Sequence, residues 1–132
     1  MKTVTVRASR TYEVKIGTGL LSGLGAEVTA LGGIRKAAVI SDSTVFPLYG
    51  QRVMQSLSDA GLETADFVFP AGEVSKNGAT LLAVLNSLAE NRLTRSDLVV
   101  ALGGGVVGDL AGFAAAVYLR GIRFVQIPTT LL

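Results

Sequence analysis

From Leu98 to Arg120 the chain runs from an apolar segment, Leu98-Val99-Val100-Ala101-Leu102, into Gly103-Gly104-Gly105-Val106-Val107-Gly108-Asp109, and then into a stretch of small and apolar residues. A short apolar run closed by glycines reads as a strand, and the alanine-rich stretch after it as a helix. The glycines between them lack Cβ atoms, so the backbone can turn sharply and another molecule can approach it closely. A helix starting there aims unpaired N–H groups and the positive end of its dipole at whatever occupies the turn. The segment therefore predicts a strand–turn–helix corner suited to a phosphate, and a nucleotide is the first candidate ligand.

The rest of the chain alternates strands with helices. Thr3 to Arg7 and Tyr12 to Ile16 alternate polar with apolar residues around Ser9-Arg10-Thr11, which predicts an N-terminal β-hairpin. Gly19 to Leu31 has helical spacing, and Ala37 to Ile40 is a continuous apolar run of the kind buried on both faces of a parallel sheet. Ser43 or Thr44 can cap a helix reaching about Ala60, with Pro47 tolerated in its first turn and Gly61 ending it. Thr64 to Phe69 reads as a strand, and Gly78 to Asn91 as a helix with Leu81, Leu82, Leu85 and Leu88 on one face. Leu98 to Leu102, Gly105 to Leu119 and Arg123 to Ile127 complete the pattern. Repeated βαβ units imply an α/β fold, a Rossmann-like parallel sheet flanked by helices.

Composition removes several functions. The 132 residues fit one domain. Net charge is only +2 and there is no Lys/Arg run, so nucleic acid is not an expected partner. With no cysteine and no histidine, the chain carries no Cys/His zinc site and no Ser–His or Cys–His nucleophile pair. Absence of cysteine suits a reducing compartment, and the polar start carries no secretory signal, so the expected location is cytoplasmic. Leu98 to Leu119 has one charge and Gly-x-x-x-Gly spacings at Gly104, Gly108 and Gly112. Spanning a bilayer would put Asp109 near its centre at about 2.5–3.5 kcal/mol, and the glycine triplet divides the stretch, so no membrane is expected. Hydrophobic residues reach 49% before the 16 glycines are added, above the roughly 45–50% usual with glycine included. Either a partner covers apolar surface or the chain is cut from something longer, and the apolar end Ile127-Pro128-Thr129-Thr130-Leu131-Leu132 favours the cut.

Ligands of parallel α/β sheets bind beyond the carboxyl ends of the strands. Four strand exits are therefore expected to line one crevice: Asp42-Ser43-Thr44, Pro70 to Lys76, Gly103 to Asp109, and Pro128-Thr129-Thr130. Gly103-x-Gly105-x-x-Gly108 meets the dinucleotide fingerprint in letters. The usual acidic residue about 20 positions on is replaced by Gln126, Ile127 and Pro128, which leaves Asp42, Glu73 and Asp109 as candidates for ribose. Each candidate has a plainer reading. Asp109 could only complement the helix dipole, Glu73 and Lys76 could be an exposed ion pair, Asp42 and Thr44 a helix cap, and Thr129 and Thr130 a polar turn.

Gly103 to Ala115, continued by Tyr118-Leu119-Arg120-Gly121 and Val125 to Leu132, closely resembles the 3-dehydroquinate synthase family. Pro70-Ala71-Gly72-Glu73-x-x-Lys76 resembles that family's second nucleotide motif, and Tyr12-x-Val14-x-Ile16-Gly17 its opening strand. The resemblance spans the chain and implies an N-terminal NAD-binding domain, residues 1–132, of an NAD-dependent phosphate-eliminating lyase of the shikimate pathway. It implies that NAD is held by Asp42 and Thr44, by Ala71, Gly72, Glu73, Val74, Ser75 and Lys76, by Gly104, Gly105, Val106, Val107, Gly108 and Asp109, and by Thr129 and Thr130. It also implies that Arg120 reaches the substrate's phosphate, across a homodimer interface, and that zinc or cobalt, the sugar-phosphate site and the catalytic lysines lie in a C-terminal domain absent here. The fragment alone is expected to be inactive. Relatives making another carbocycle share these motifs. A glycerol or polyol dehydrogenase would carry a lysine soon after the motif's aspartate, where this chain has only the apolar run Ala111 to Ala116. A non-catalytic association module is the reading of a different class.

Overall fold

Ala37 to Ile40 and Leu98 to Leu102 are at most 3% exposed, and the strands that contain them occupy the middle of the sheet. The computed structural model describes residues 2–8, 11–16 and 19–129. Its strands are β1 (Lys2–Arg7), β2 (Thr11–Ile16), β3 (Lys36–Asp42), β4 (Glu63–Phe69), β5 (Leu98–Gly103) and β6 (Arg123–Pro128), and its helices α1 (Leu24–Thr29), α2 (Gln51–Asp59), α3 (Gly78–Glu90) and α4 (Gly105–Val117). β3 to β6 form one sheet in the order β4-β3-β5-β6, every pair parallel. β1 and β2 pair antiparallel with each other and stand apart from that sheet. The turn expected at Ser9-Arg10 lies outside the described residues, as do Gly17 and Thr130 to Leu132.

Side-chain alternation along the two central strands builds a core on each face. Ala38, Ile40, Val99 and Ala101 pack with Val84 and Leu88 of α3 and Val107, Leu110, Ala111 and Ala114 of α4. Ala37, Val39, Leu98, Val100 and Leu102 pack with Leu24 and Val28 of α1 and Val53 and Leu57 of α2. Strands buried on both faces read as unbroken apolar runs, whereas the edge strands β4 and β6 keep exposed positions along their length. The crossover through α2 leads from β3 out to β4, and the one through α3 returns past β3 to β5. The sheet therefore reverses its winding between β3 and β5, and a crevice opens at their carboxyl ends.

Local chemistry differs from the expected pattern in four places. Asp42, rather than Ser43 or Thr44, closes the turn after β3: its Oδ1 accepts the amides of Thr44 at 2.9 Å and Val45 at 2.8 Å. The helix that follows starts as a π-helical turn, Phe46–Gly50, where the Phe46 ring lies so close to Gly50 that a Cβ would meet it at 2.5 Å. In α3, capped by Asn77 accepting the Thr80 amide at 2.9 Å, Val84 and Leu88 are buried while Leu82 is 60% exposed and points away from the face assigned to it. Helix α4 stops at Val117, and Leu119 and Arg120 take left-handed backbone angles before Gly121. At the amino ends of the strands, Asp97 locks β3 to β5. It accepts the amides of Thr94 (2.9 Å), Lys36 (3.1 Å) and Arg35 (3.4 Å) and the Thr94 hydroxyl (3.0 Å).

Candidate functional site

The four strand exits lie on the carboxyl edge of the sheet and are tied to one another. Beyond β3, the Ser43 amide donates to the Phe69 carbonyl at 2.9 Å, and the Ser43 hydroxyl accepts the Ala71 amide at 2.9 Å. The loop after β4 reaches the glycine corner through Lys76, whose Nζ lies 2.9 Å from Oδ2 of Asp109 in α4. The Thr129 amide, just past β6, donates to the Gly103 carbonyl at 3.1 Å. Asp42, Thr44, the Ala71 to Lys76 loop, Gly104 to Asp109 and Thr129 thus share one rim.

Within that rim the residues differ in what they offer. Gly104 is the residue before α4, with an extended backbone and no side-chain cap, so the first amides of the helix face outward without an intrahelical acceptor. A Cβ on Gly105 would meet nothing within 4 Å, and the same holds for Gly72, whose φ of 103° suits glycine. Two bare stretches of main chain therefore face open space. Gly103 and Gly108 serve packing instead: a Cβ on Gly103 would lie 2.6 Å from Val107, and one on Gly108 would lie 2.5 Å from the Gln126 amide nitrogen of β6. Val107 is a core residue, and what it presents to the rim is its amide. Ser75 is buried and its hydroxyl donates to the Pro70 carbonyl, so it braces the loop from inside, whereas Glu73 and Val74 lie on its outer surface.

Lys76 pairs with Asp109 and not, as its spacing suggested, with Glu73. The hydrogen bond to Asp109, then the charges of Asp109 and Glu73, push the Lys76 ammonium above its ordinary pKa, so it is charged at every physiological pH. Both side chains remain open to solvent, at 46% for Lys76 and 62% for Asp109.

Arg120 does not join this group. α4 begins at the carboxyl edge and runs back toward the start of β6, carrying Arg120 about 20 Å along its axis from the glycine turn. Sequence reasoning placed Ser43 on this edge but not its bond to Ala71, and it missed a cavity of about 640 Å³ beside the exits of β5 and β6, on the α1/α2 side. Leu20, Leu21, Tyr49, Leu102, Ile127 and Thr129 line it, and the Arg52 guanidinium stands 5.4 Å over the Tyr49 ring. Among the described residues no group of three His, Cys, Asp or Glu could hold a metal, and no helix is long and apolar enough to cross a membrane.

Residues 66–132 match the family model described as 3-dehydroquinate synthase N-terminal. The chain is 51% identical over 124 residues to 3-dehydroquinate synthase of Paracoccus denitrificans (strain Pd 1222), an alignment covering 94% of this chain and 34% of that protein. It thus spans about a third of the length of the curated relatives it matches. Among solved structures, 2-deoxy-scyllo-inosose synthase superposes with a TM-score of 0.89 at 25% identity, over 98% of this chain and 36% of that one. The same enzyme in complex with carbaglucose-6-phosphate, NAD+ and Co2+ gives 0.86. 2-epi-5-epi-valiolone synthase from Streptomyces hygroscopicus subsp. jinggangensis 5008, with NAD+ and Zn2+ bound, gives 0.72 at 28% identity, over 96% of this chain and 35% of that one.

Proposed function

The chain belongs to the 3-dehydroquinate synthase family, as its N-terminal domain, and from that membership we propose that it is the NAD-binding part of an enzyme that converts 3-deoxy-D-arabino-heptulosonate 7-phosphate to 3-dehydroquinate and phosphate. The observation that carries this reading is the joining of four strand exits on one rim through Ser43–Ala71, Lys76–Asp109 and Thr129–Gly103. The rim fits the cofactor: Gly72 and Gly105 leave main chain bare where a Cβ would project into open space, and the amides of Gly105, Val106 and Val107 at the start of α4 suit a pyrophosphate. Lys76 adds a fixed positive charge. Asp42, Glu73 and Asp109 are acceptors for ribose hydroxyls, Thr44 and Thr129 complete the polar edge, and the cavity walled by Leu102, Ile127 and Tyr49 offers apolar surface to a flat base.

NAD held by these residues would supply a reversible hydride acceptor for a substrate hydroxyl. This chain's share of the chemistry is to fix the cofactor's phosphates and riboses so that its reactive ring faces a site formed elsewhere. The chain has neither histidine nor cysteine, and among the described residues no three acidic side chains cluster to hold a metal, so zinc or cobalt belongs to the remainder of the enzyme. The sugar-phosphate site lies in the two thirds of the relatives' length that these residues do not span, so the 132 residues by themselves are inactive and bind NAD weakly. Arg120, remote from the rim on its own chain, serves the substrate phosphate of a second subunit in a homodimer, and the enzyme works in the cytoplasm. Identity of 51% to 3-dehydroquinate synthase against 25% to 2-deoxy-scyllo-inosose synthase favours the former reaction over another carbocycle. Calorimetric titration with NAD tests the cofactor reading, and a binding isotherm weakened by Lys76→Gln supports it. Absence of any binding at millimolar NAD overturns it, and phosphate release from the chain supplied with substrate, NAD and Zn2+ overturns the inactivity.

A further inference from the structure

We infer that the Lys76–Asp109 pair is a filter at the glycine corner, admitting a pyrophosphate flanked by riboses and turning away free phosphate and pyrophosphate. The inference deepens the dinucleotide reading and rests on it for the identity of the admitted ligand. The start of α4, uncapped by any side chain and preceded by the extended Gly104, attracts anions without distinguishing among them. Distinction requires an opposing element at the same place, and the structure has one. Asp109 lies in the first turns of that same helix, 62% exposed, and holds the only lysine of the facing loop at 2.9 Å.

An anion arriving at the corner meets Lys76 already engaged, and meets the negative charges of Asp109 and Glu73 beside it. Free pyrophosphate carries more negative charge than a pyrophosphate diester, so it suffers more repulsion from those two carboxylates. It also brings nothing to Asp109 in exchange for the lysine it removes. A dinucleotide has ribose hydroxyls on both sides of its pyrophosphate, and a hydroxyl donated to Asp109 replaces the lost ammonium. The pair therefore lowers affinity for the wrong anions while leaving the right one compensated.

Titration of the chain with inorganic pyrophosphate and, separately, with NAD at low ionic strength tests this. In Asp109→Asn, pyrophosphate is expected to bind about fivefold more tightly and NAD about fivefold more weakly. Glu73→Gln is expected to move pyrophosphate in the same direction by less, and Lys76→Gln to weaken both titrants. Because these side chains are exposed, unchanged thermal melts are expected to accompany all three variants. Loss of pyrophosphate affinity in Asp109→Asn, or no change in it, overturns the filter, since Asp109 would then only position Lys76. If the unsubstituted chain binds no NAD while Asp109→Asn still gains pyrophosphate, the filter stands and the dinucleotide reading fails.

Discussion

The hydroxyl of Ser43, one residue past β3, accepts the amide of Ala71, two residues past β4, at 2.9 Å. That bond extends the pairing of the two strands beyond the sheet, after the Ser43 amide has closed on the Phe69 carbonyl. It sets where the Gly72 to Lys76 loop starts, and so where Lys76 arrives. Ser43→Ala removes the acceptor in a solvent-exposed position where water can replace it, so the stability loss is expected to be only about 0.5–1.5 kcal/mol. The loop's placement is expected to suffer more. Calorimetry should show NAD binding weakened about three- to tenfold while the thermal midpoint shifts by a few degrees, and an unchanged affinity would show that the bond does not position the site.

At the opposite edge of the sheet, Asp97 gives the fold an acid-sensitive share of its stability. Burial alone would raise its pKa, but the amide and hydroxyl of Thr94 and the amides of Lys36 and Arg35 all donate to its charged form, and together they hold it below the ordinary aspartate value. The folded state therefore binds this proton less readily than the unfolded chain does. Its contribution is fully present above the ordinary carboxylate range and is lost as pH falls through the depressed native value. Unfolding midpoints measured from neutral pH downward should decline over that window. In Asp97→Ala, which strands several amide donors, stability at neutral pH should fall by about 2–3 kcal/mol and the acid dependence should flatten. A mutant with the same acid slope as the parent would assign the transition to other carboxylates.

How much of this was readable beforehand follows from how each part is encoded. β3 and β5 are buried on both faces, and a segment with no exposed side announces itself as an apolar run. The glycine corner was legible for a similar reason, since strand, turn and helix are contiguous. Cooperation between distant segments was not legible. Nothing local says that Lys76 reaches Asp109 instead of resting on Glu73, that Ser43 faces Ala71, or that Tyr49 and Ile127 wall one cavity. Leu82 was misassigned because helical spacing alone does not fix where a face ends, and the neighbouring β4 and α4 decide it. Asp42 displaced Ser43 and Thr44 as the turn's acceptor because an aspartate at the end of a strand reaches the amides two and three residues on.

Arg120 holds a left-handed backbone with φ 68°, directly after Leu119 at φ 49°. Such angles strain any residue with a Cβ and persist at functional positions. Arg120→Gly is expected to relieve about 1 kcal/mol and to raise the thermal midpoint, although it removes the side chain proposed to meet the substrate phosphate. In the complete enzyme that substitution should raise KM for the sugar phosphate, and Arg120→Lys should restore part of the loss without the gain in stability. A higher midpoint with unchanged KM would leave the strain without a catalytic purpose.

Gly103 and Gly105, on either side of Gly104, separate folding from binding. A Cβ on Gly103 would press on Val107, a fully buried core residue, at 2.6 Å from Cγ2 and 2.9 Å from Cβ. Gly103→Ala must move the start of α4 or the β5 terminus, at about 1–3 kcal/mol. A Cβ on Gly105 meets nothing within 4 Å, and its backbone has no positive φ. Gly105→Ala should accordingly stabilise the helix by about 0.5–1 kcal/mol. If the space over Gly105 is where the pyrophosphate lies, that same methyl group blocks it, and NAD affinity should drop at least about tenfold in a protein that melts at a higher temperature than its parent. Denaturant unfolding and NAD titration of the two variants read the two effects independently. A Gly105→Ala chain that binds NAD as well as the parent would remove the corner from the cofactor site.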